Sequence, residues 1–248
     1  MKRKIFYIAA AVLAVIALIA ALLLLPKSEK TPVADPTIPT EVTISTEPPA
    51  QTLPATVADA QELDVNLGYG LYITEVGSYT GPFLEDGSDE VVSGVLMIRV
   101  ENRGESPVEY ATVSIPVSAG QATFTLSALL PGETVLLLET NRLPWSSTES
   151  YQYPLLETPA LFTKELALHA DKLSVQLLDG GMNITNISGN AITGDIVIYY
   201  KNKQHGIYYG GITYRLRIPG GLKKDEICQL MSQHIHKGNT ELLFITVD

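Results

Sequence analysis

Five tyrosines crowd one short stretch of this chain. Tyr199, Tyr200, Tyr208, Tyr209 and Tyr214 lie within sixteen residues, with Lys201, Lys203, Arg215 and Arg217 interleaved. An amphipathic ring beside a cation can stack on a sugar or anchor a protein partner. Successive strand residues point to opposite faces, so only one of Tyr199 and Tyr200 can face a core. Tyr199, Tyr200, Tyr208, Tyr209, Tyr214, Arg215 and Arg217 therefore form the candidate ligand-binding set. The competing reading is cross-strand aromatic pairing that only stabilises a sheet.

Other residues with chemistry to offer are fewer. The histidines are His169, His205, His234 and His236. His234-Ile-His236 places two imidazoles on one face of an extended segment. A zinc site needs a third protein ligand, and none stands nearby, which favours a solvated loop before the last strand. His205 follows Asn202-Lys-Gln204 and reads as a turn residue. Glu85-Asp-Gly-Ser-Asp-Glu90 gathers four carboxylates in a glycine-containing loop. Calcium would need several of those oxygens to converge at about 2.5 Å. The residue order is not that of an EF-hand, so the loop reads as an exposed acidic one. The chain has no Gly-x-Ser-x-Gly elbow, no phosphate-binding glycine loop and no metal-ligand helix motif. The expectation is a protein without catalytic residues, metal or cofactor. An enzyme site beside Trp145 is the remaining contrary reading.

The elements that would position these residues begin with an anchor. Residues 1–4, Met-Lys-Arg-Lys, form a basic flank before Ile5 to Leu25, 21 apolar residues without charge or proline. At about 1.5 Å per residue such a helix spans roughly 30 Å, the thickness of a bilayer core. The basic flank places the N-terminus in the cytoplasm and the rest outside. A cleaved signal peptide has a shorter apolar core and a small-x-small site, which this stretch lacks. Residues 26–60 are rich in Pro and Thr and free of aromatics, as an extended, coreless stem would be. Leu53-Pro-Ala-Thr56 resembles part of a sortase signal, but Val57 stands where Gly is required. The asparagines of Asn183-Ile-Thr185 and Asn186-Ile-Ser188 match glycosylation sequons and serve equally well as strand and turn residues.

From residue 61 apolar and polar residues alternate with period two, interrupted by Gly, Pro and Asn. Strands are expected at Leu63–Leu67, Leu71–Val76, Gly94–Glu101, Glu109–Pro116, Ala122–Leu126 and Thr134–Glu139. A second set is expected at Leu173–Leu177, Met182–Ile187, Asp195–Lys201, Ile212–Ile218, Glu226–Met231 and Thr240–Val247. The sets look like two copies of one unit. Leu63, Val65 and Leu67 match Leu173, Val175 and Leu177, while the runs opening at Gly94 and Gly194 each end in Asn. The predicted organisation is all-β: a first β-sandwich over 61–140, a connector over 141–170 and a second β-sandwich over 171–248. Residues 77–93 are expected to be a long loop that the second copy lacks.

Charge separates the copies. The formal net charge is −10, and residues 61–158 carry fourteen acids against three arginines, whereas 159–248 carry eight acids against nine bases. No clustered basic face suits a nucleic acid. The lone Cys228 can form no intrachain disulfide, so the modules must hold together by core burial.

Val100-Glu-Asn102-Arg-Gly104, a following apolar strand, and Leu130-Pro-Gly132-Glu-Thr134 before a last strand resemble the bacterial adhesion-related immunoglobulin-like modules called CARDB. The resemblance covers roughly 61–139, with a weaker echo over 171–247, where Asn202-Lys-Gln204 lacks the Gly and His236-Lys-Gly238 lacks the Pro. It implies two tandem immunoglobulin-like β-sandwiches acting as surface-exposed binding or spacer modules, and it brings no catalytic residues. The functional expectation is a single-pass membrane protein of a Gram-positive-like envelope, displaying a non-catalytic adhesion or assembly module to a protein or polysaccharide partner. The alternative is a cell-wall carbohydrate-binding module that uses the tyrosine-rich face.

Overall fold

Apolar side chains at every second position build strands with one buried face, and this pattern generates nearly all of the regular structure. A computed structural model describes residues 55–247, which fall within one compact unit. The anchor expected at 5–25 and most of the stem lie outside the described residues. Among the described residues no helix is long and apolar enough to cross a membrane.

The described chain is all-β, with fourteen strands. The first half contains β1 (Thr56–Gly68), β2 (Leu71–Pro82), β3 (Val91–Asn102), β4 (Val108–Val117), β5 (Gly120–Leu129), β6 (Thr134–Leu138) and β7 (Leu155–Leu161). The second half contains β8 (Leu173–Leu178), β9 (Gly181–Asn186), β10 (Ile196–Gln204), β11 (Ile207–Tyr209), β12 (Tyr214–Ile218), β13 (Ile227–Met231) and β14 (Thr240–Val247). They form three sheets, ordered β1-β2-β3-β6-β11-β10-β12 with β14 also on β10, then β13-β9-β8, then β5-β4-β7. The arrangement is that of β-sandwiches, with apolar faces turned toward one another.

Strand pairing repeats between the halves, in a different register from the one the sequence suggests. The pairs β2/β3, β3/β6, β4/β5 and β4/β7 recur as β8/β9, β9/β13, β10/β12 and β10/β14. Leu173 thus corresponds to Leu71, not to Leu63: Leu71 faces Asn102 across one hairpin as Leu173 faces Asn186 across the other. Among the described residues β1 and β11 have no counterpart.

Two buried asparagines confirm that register. Asn102 Nδ2 donates to the Ser106 and Leu129 carbonyls, and its Oδ1 accepts from the Gly104 N–H. Asn186 Nδ2 donates to the Asn190 and Leu222 carbonyls, and its Oδ1 accepts from the Ser188 N–H. The Asn102 and Asn186 N–H groups donate to the carbonyls of Glu133 and Glu226. Gly132 and Asp225, each preceding that glutamate, both have positive φ, 76° and 58°. Neither asparagine is solvent-exposed, and the amides tether the ends of β3 and β9 to the end of β5 and to the segment after β12, in the facing sheets. A buried amide is tolerated only when so satisfied.

The halves share one core. Leu71, Val100, Phe124 and Val135 of the first half lie in the same cluster as Tyr208, Leu243 and Phe244 of the second. A smaller cluster of Tyr79, Phe83, Met97, Leu136 and Leu138 covers the opposite face of β3 and β6, with Tyr209 packed against it. Both faces of these strands are therefore buried. That explains the unbroken apolar runs Val95–Ile98 and Val135–Leu138, since a strand buried on both faces loses its alternation.

Three expected features differ from the structure. Residues 77–82 continue β2 and residues 91–93 begin β3, which leaves only 83–90 as a loop. The expected connector supplies β7, which pairs with β4 inside the first half. β11, for which no strand was expected, pairs with β10 and also in parallel with β6, Tyr208 opposite Val135 and Tyr209 opposite Leu136, which joins the halves.

Candidate functional site

β10 carries the second half to the first, and Lys201 sits where they meet. Its side chain is 1% exposed. Nζ donates to the carbonyls of Gly210, Gly211 and Ile212 at 3.2, 2.9 and 2.9 Å. An ammonium has three N–H donors and a neutral amine two, so this seat fits the charged form. Burial pulls the Lys201 pKa down, and the Glu85 carboxylate opposes that pull. Glu85 reaches in from the 83–90 loop, accepting from the Leu138 N–H at 2.9 Å and the Gly211 N–H at 2.8 Å. Burial pushes its pKa up, against the two N–H donors and Lys201.

Gly211 is the hub of this junction. Its carbonyl also accepts from the Ser127 N–H at 2.9 Å and the Ser127 hydroxyl at 2.7 Å. A Cβ there would stand 1.7 Å from the Thr125 carbonyl oxygen, so only glycine allows the approach. A second polar seam runs beside it. Lys203 bridges Glu133 and Glu241 at 2.7 and 3.2 Å and lies over the Tyr208 ring, whose hydroxyl donates to Glu241.

Next to the junction a cleft of about 160 Å³ opens between the halves. The first half contributes Tyr79, Leu84 and Asp89, and the second contributes Gln204, Tyr209, Tyr214, His234 and His236. Tyr200, Tyr214 and His234 stack in a column with centroid spacings of 5.3 and 4.6 Å. His234 Nδ1 lies 3.3 Å from Asp89 Oδ2, which closes a polar bridge across the cleft. Tyr79 donates its hydroxyl to the Pro82 carbonyl. Burial is the main cause holding both Tyr79 and Tyr214 protonated far above the ordinary phenol range. Aromatic walls with amide, imidazole and phenol groups suit a small polar ligand with flat or apolar faces.

The structure distributes the expected tyrosine set among three environments. Tyr200 and Tyr208 are buried, one in the second core and one in the shared core, and neither offers a ring face to solvent. Tyr199 stacks on Phe244 at 4.3 Å and packs against the shared core. Tyr209 and Tyr214 reach the cleft. Arg215 and Arg217 are exposed on β12, away from the cleft lining, and Arg217 pairs with Asp195. Cross-strand pairing thus accounts for part of the set, while the cleft gathers two members with residues from the other half.

The acidic loop is divided among separate partners. Glu85 goes to the junction and Asp89 to His234, while Asp86 and Glu90 take Arg142 at 3.0 and 2.6 Å. The four carboxylates do not converge on one point. Among the described residues no group of three or more His, Cys, Asp or Glu is placed to hold a metal ion. His234 is half-buried and His236 exposed. Trp145 is stacked on Tyr151 at 5.0 Å.

The sequence marked Lys201 only as a cation among tyrosines and Asp89 only as part of an exposed acidic loop, and Tyr79 escaped it altogether. A lysine in an otherwise apolar run, Ile196–Lys201, was the available signal for a buried cation. Nothing local pairs Asp89 with His234, because 145 positions of chain separate them. No family model, curated protein or solved structure matches the chain.

Proposed function

We propose that this chain is a membrane-anchored, non-catalytic binding module of the cell envelope whose ligand seat is the cleft between two immunoglobulin-like sandwiches. The observation that carries the reading is that the cleft is walled by both halves and lies against their hydrogen-bonded junction. A seat shared by two halves keeps its shape only if the halves are fixed, and preformed seats lose less entropy on binding. The basic flank and apolar run at residues 1–25 support an anchor with the body outside the membrane. The repeated strand pairing supports tandem immunoglobulin-like units. The partner is an envelope protein or polysaccharide.

Tyr209, Tyr214 and Gln204 in the cleft favour one second reading, a carbohydrate ligand. The test is co-sedimentation of the full chain, in detergent micelles, with purified cell-wall polysaccharide. Parent protein that pellets while Tyr209→Ala stays in solution supports the carbohydrate reading. Parent that stays in solution but cross-links through the cleft to an envelope protein supports the protein partner. Binding that is unchanged in Tyr209→Ala and His234→Ala alike places the ligand elsewhere and rejects the cleft.

A further inference from the structure

β13 is a sheet edge without the usual protection. The Glu226 carbonyl accepts from the Asn186 N–H, and the Ser232 N–H donates to the Gly180 carbonyl. Antiparallel alternation then turns the backbone groups of 226, 228, 230 and 232 toward β9, and those of Ile227, Gln229 and Met231 outward. Among the described residues β13 pairs only with β9. Natural edges are blunted by charges, prolines, bulges or a covering segment. β1 has three register breaks and carries Glu62 and Asp64; β7 has Glu157, Pro159 and a positive-φ Thr158. β12 carries two arginines, and the Ala167 carbonyl covers β14 through the Ile245 N–H. β8 exposes only polar Ser174 and Gln176. β13 reads Ile-Cys-Gln-Leu-Met, with no charge, no proline and an unbroken register.

Its exposed apolar groups sit on the edge and not across the sheet. Ile227 and Met231 are each 64% exposed. On the same face of β9, Ile227 is opposite polar Thr185 and Met231 is opposite Gly181, so neither meets an apolar side chain across the pair. That distribution suits a strand added alongside and does not suit a body packed on the face. The fold already uses this edge once: β6 is the counterpart of β13, and its outer side is taken by β11.

We propose that β13 pairs with β13 of a second copy of this chain, antiparallel and centred on Gln229. The argument for a second copy is self-complementarity. With Gln229 opposite its twin, Ile227 of one copy faces Met231 of the other. The three outward N–H and three outward C=O groups of each strand then all find partners. The two three-stranded sheets become one sheet across a two-fold axis, which closes the edge and stops further addition. Ile–Met pairs then flank a Gln–Gln pair, each directly opposite and close enough for its side chains to touch.

The test measures the mass of the full chain in detergent micelles by light scattering. The parent should be a dimer. Gln229→Lys and Gln229→Glu each set like charges face to face, so each alone should be monomeric, and an equimolar mixture of the two should recover the dimer mass. Gln229 is exposed and pairs through no side-chain bond, so matching thermal melts of both variants check that they fold. A monomeric parent, a dimeric Gln229→Lys, or a mixture that stays monomeric each overturns the proposal.

Discussion

Glu85 and Lys201 hold opposite ends of one peptide group. Glu85 accepts from the Gly211 N–H and Lys201 donates to the Gly210 carbonyl, the two ends of the 210–211 peptide, so a carboxylate from the first half and an ammonium from the second are coupled through one backbone unit. No Lys201–Glu85 contact within salt-bridge distance is needed. The negative and positive groups polarise the same amide, and each relieves part of the other's burial cost.

Lys201→Met should be strongly destabilising. It leaves the Gly210 and Ile212 carbonyls without the ammonium that binds them, and Glu85 without its compensating charge. Breaking a buried charge pair typically costs about 3–5 kcal/mol. Chemical denaturation should show a loss of that order. A loss below about 1 kcal/mol, the size of an ordinary net hydrogen bond, would mean the junction does not hold the halves together.

Asn102→Ala and Asn186→Ala should cost similar amounts, because both amides bond equivalent backbone groups, Asn186 adding only the Lys223 carbonyl. Each removal strands buried carbonyls at about 1–3 kcal/mol apiece. Melting each variant checks this, and a harmless Asn186→Ala would contradict the equivalence of the two positions.

Those asparagines also show what the sequence could and could not disclose. Nearly every strand was legible, because period-two alternation bounded by Gly and Pro is a local signal. The repeat was legible too, but its register was not. Leu63-Asp-Val-Asn-Leu67 and Leu173-Ser-Val-Gln-Leu177 look alike because any half-buried strand ahead of a glycine turn looks so. The position-specific marks are the Asn two residues before Gly104 or Ser188, and Leu129-Leu-Pro-Gly-Glu133 against Leu222-Lys-Lys-Asp-Glu226. In that pair Asp225 replaces Gly132 while keeping its positive φ. β11 was hidden because three residues pairing with a remote strand leave no periodicity. β7 lay in a stretch whose Pro159 and positive-φ Thr158 break the strand pattern. For the cleft, Tyr209 and Tyr214 were named from their type, whereas Asp89 and Tyr79 come from the other half and only the fold brings them there.

Alkaline pH should unfold this protein earlier than its acidic composition suggests. Burial raises the folded-state pKa of Tyr79, Tyr208 and Tyr214 above the usual value of about 10. The folded state therefore binds more protons than the unfolded state once pH passes the unfolded value, and stability falls as pH rises from there. Full stability from these groups is present below about pH 10. Tyr214→Phe removes one of them, so the decline of melting temperature with pH above that point should be shallower than in the parent. An identical slope would show that Tyr214 ionises freely in the folded protein.

The central claim is that the two halves form one body, and calorimetry of the full chain in detergent micelles tests it most directly. The shared core and the Gly211 junction predict a single cooperative unfolding transition for the β region. They also predict that Gly211→Ala, whose added methyl collides with the Thr125 carbonyl, shifts or splits that transition. Two separate transitions in the parent, with Gly211→Ala leaving both in place, would contradict it.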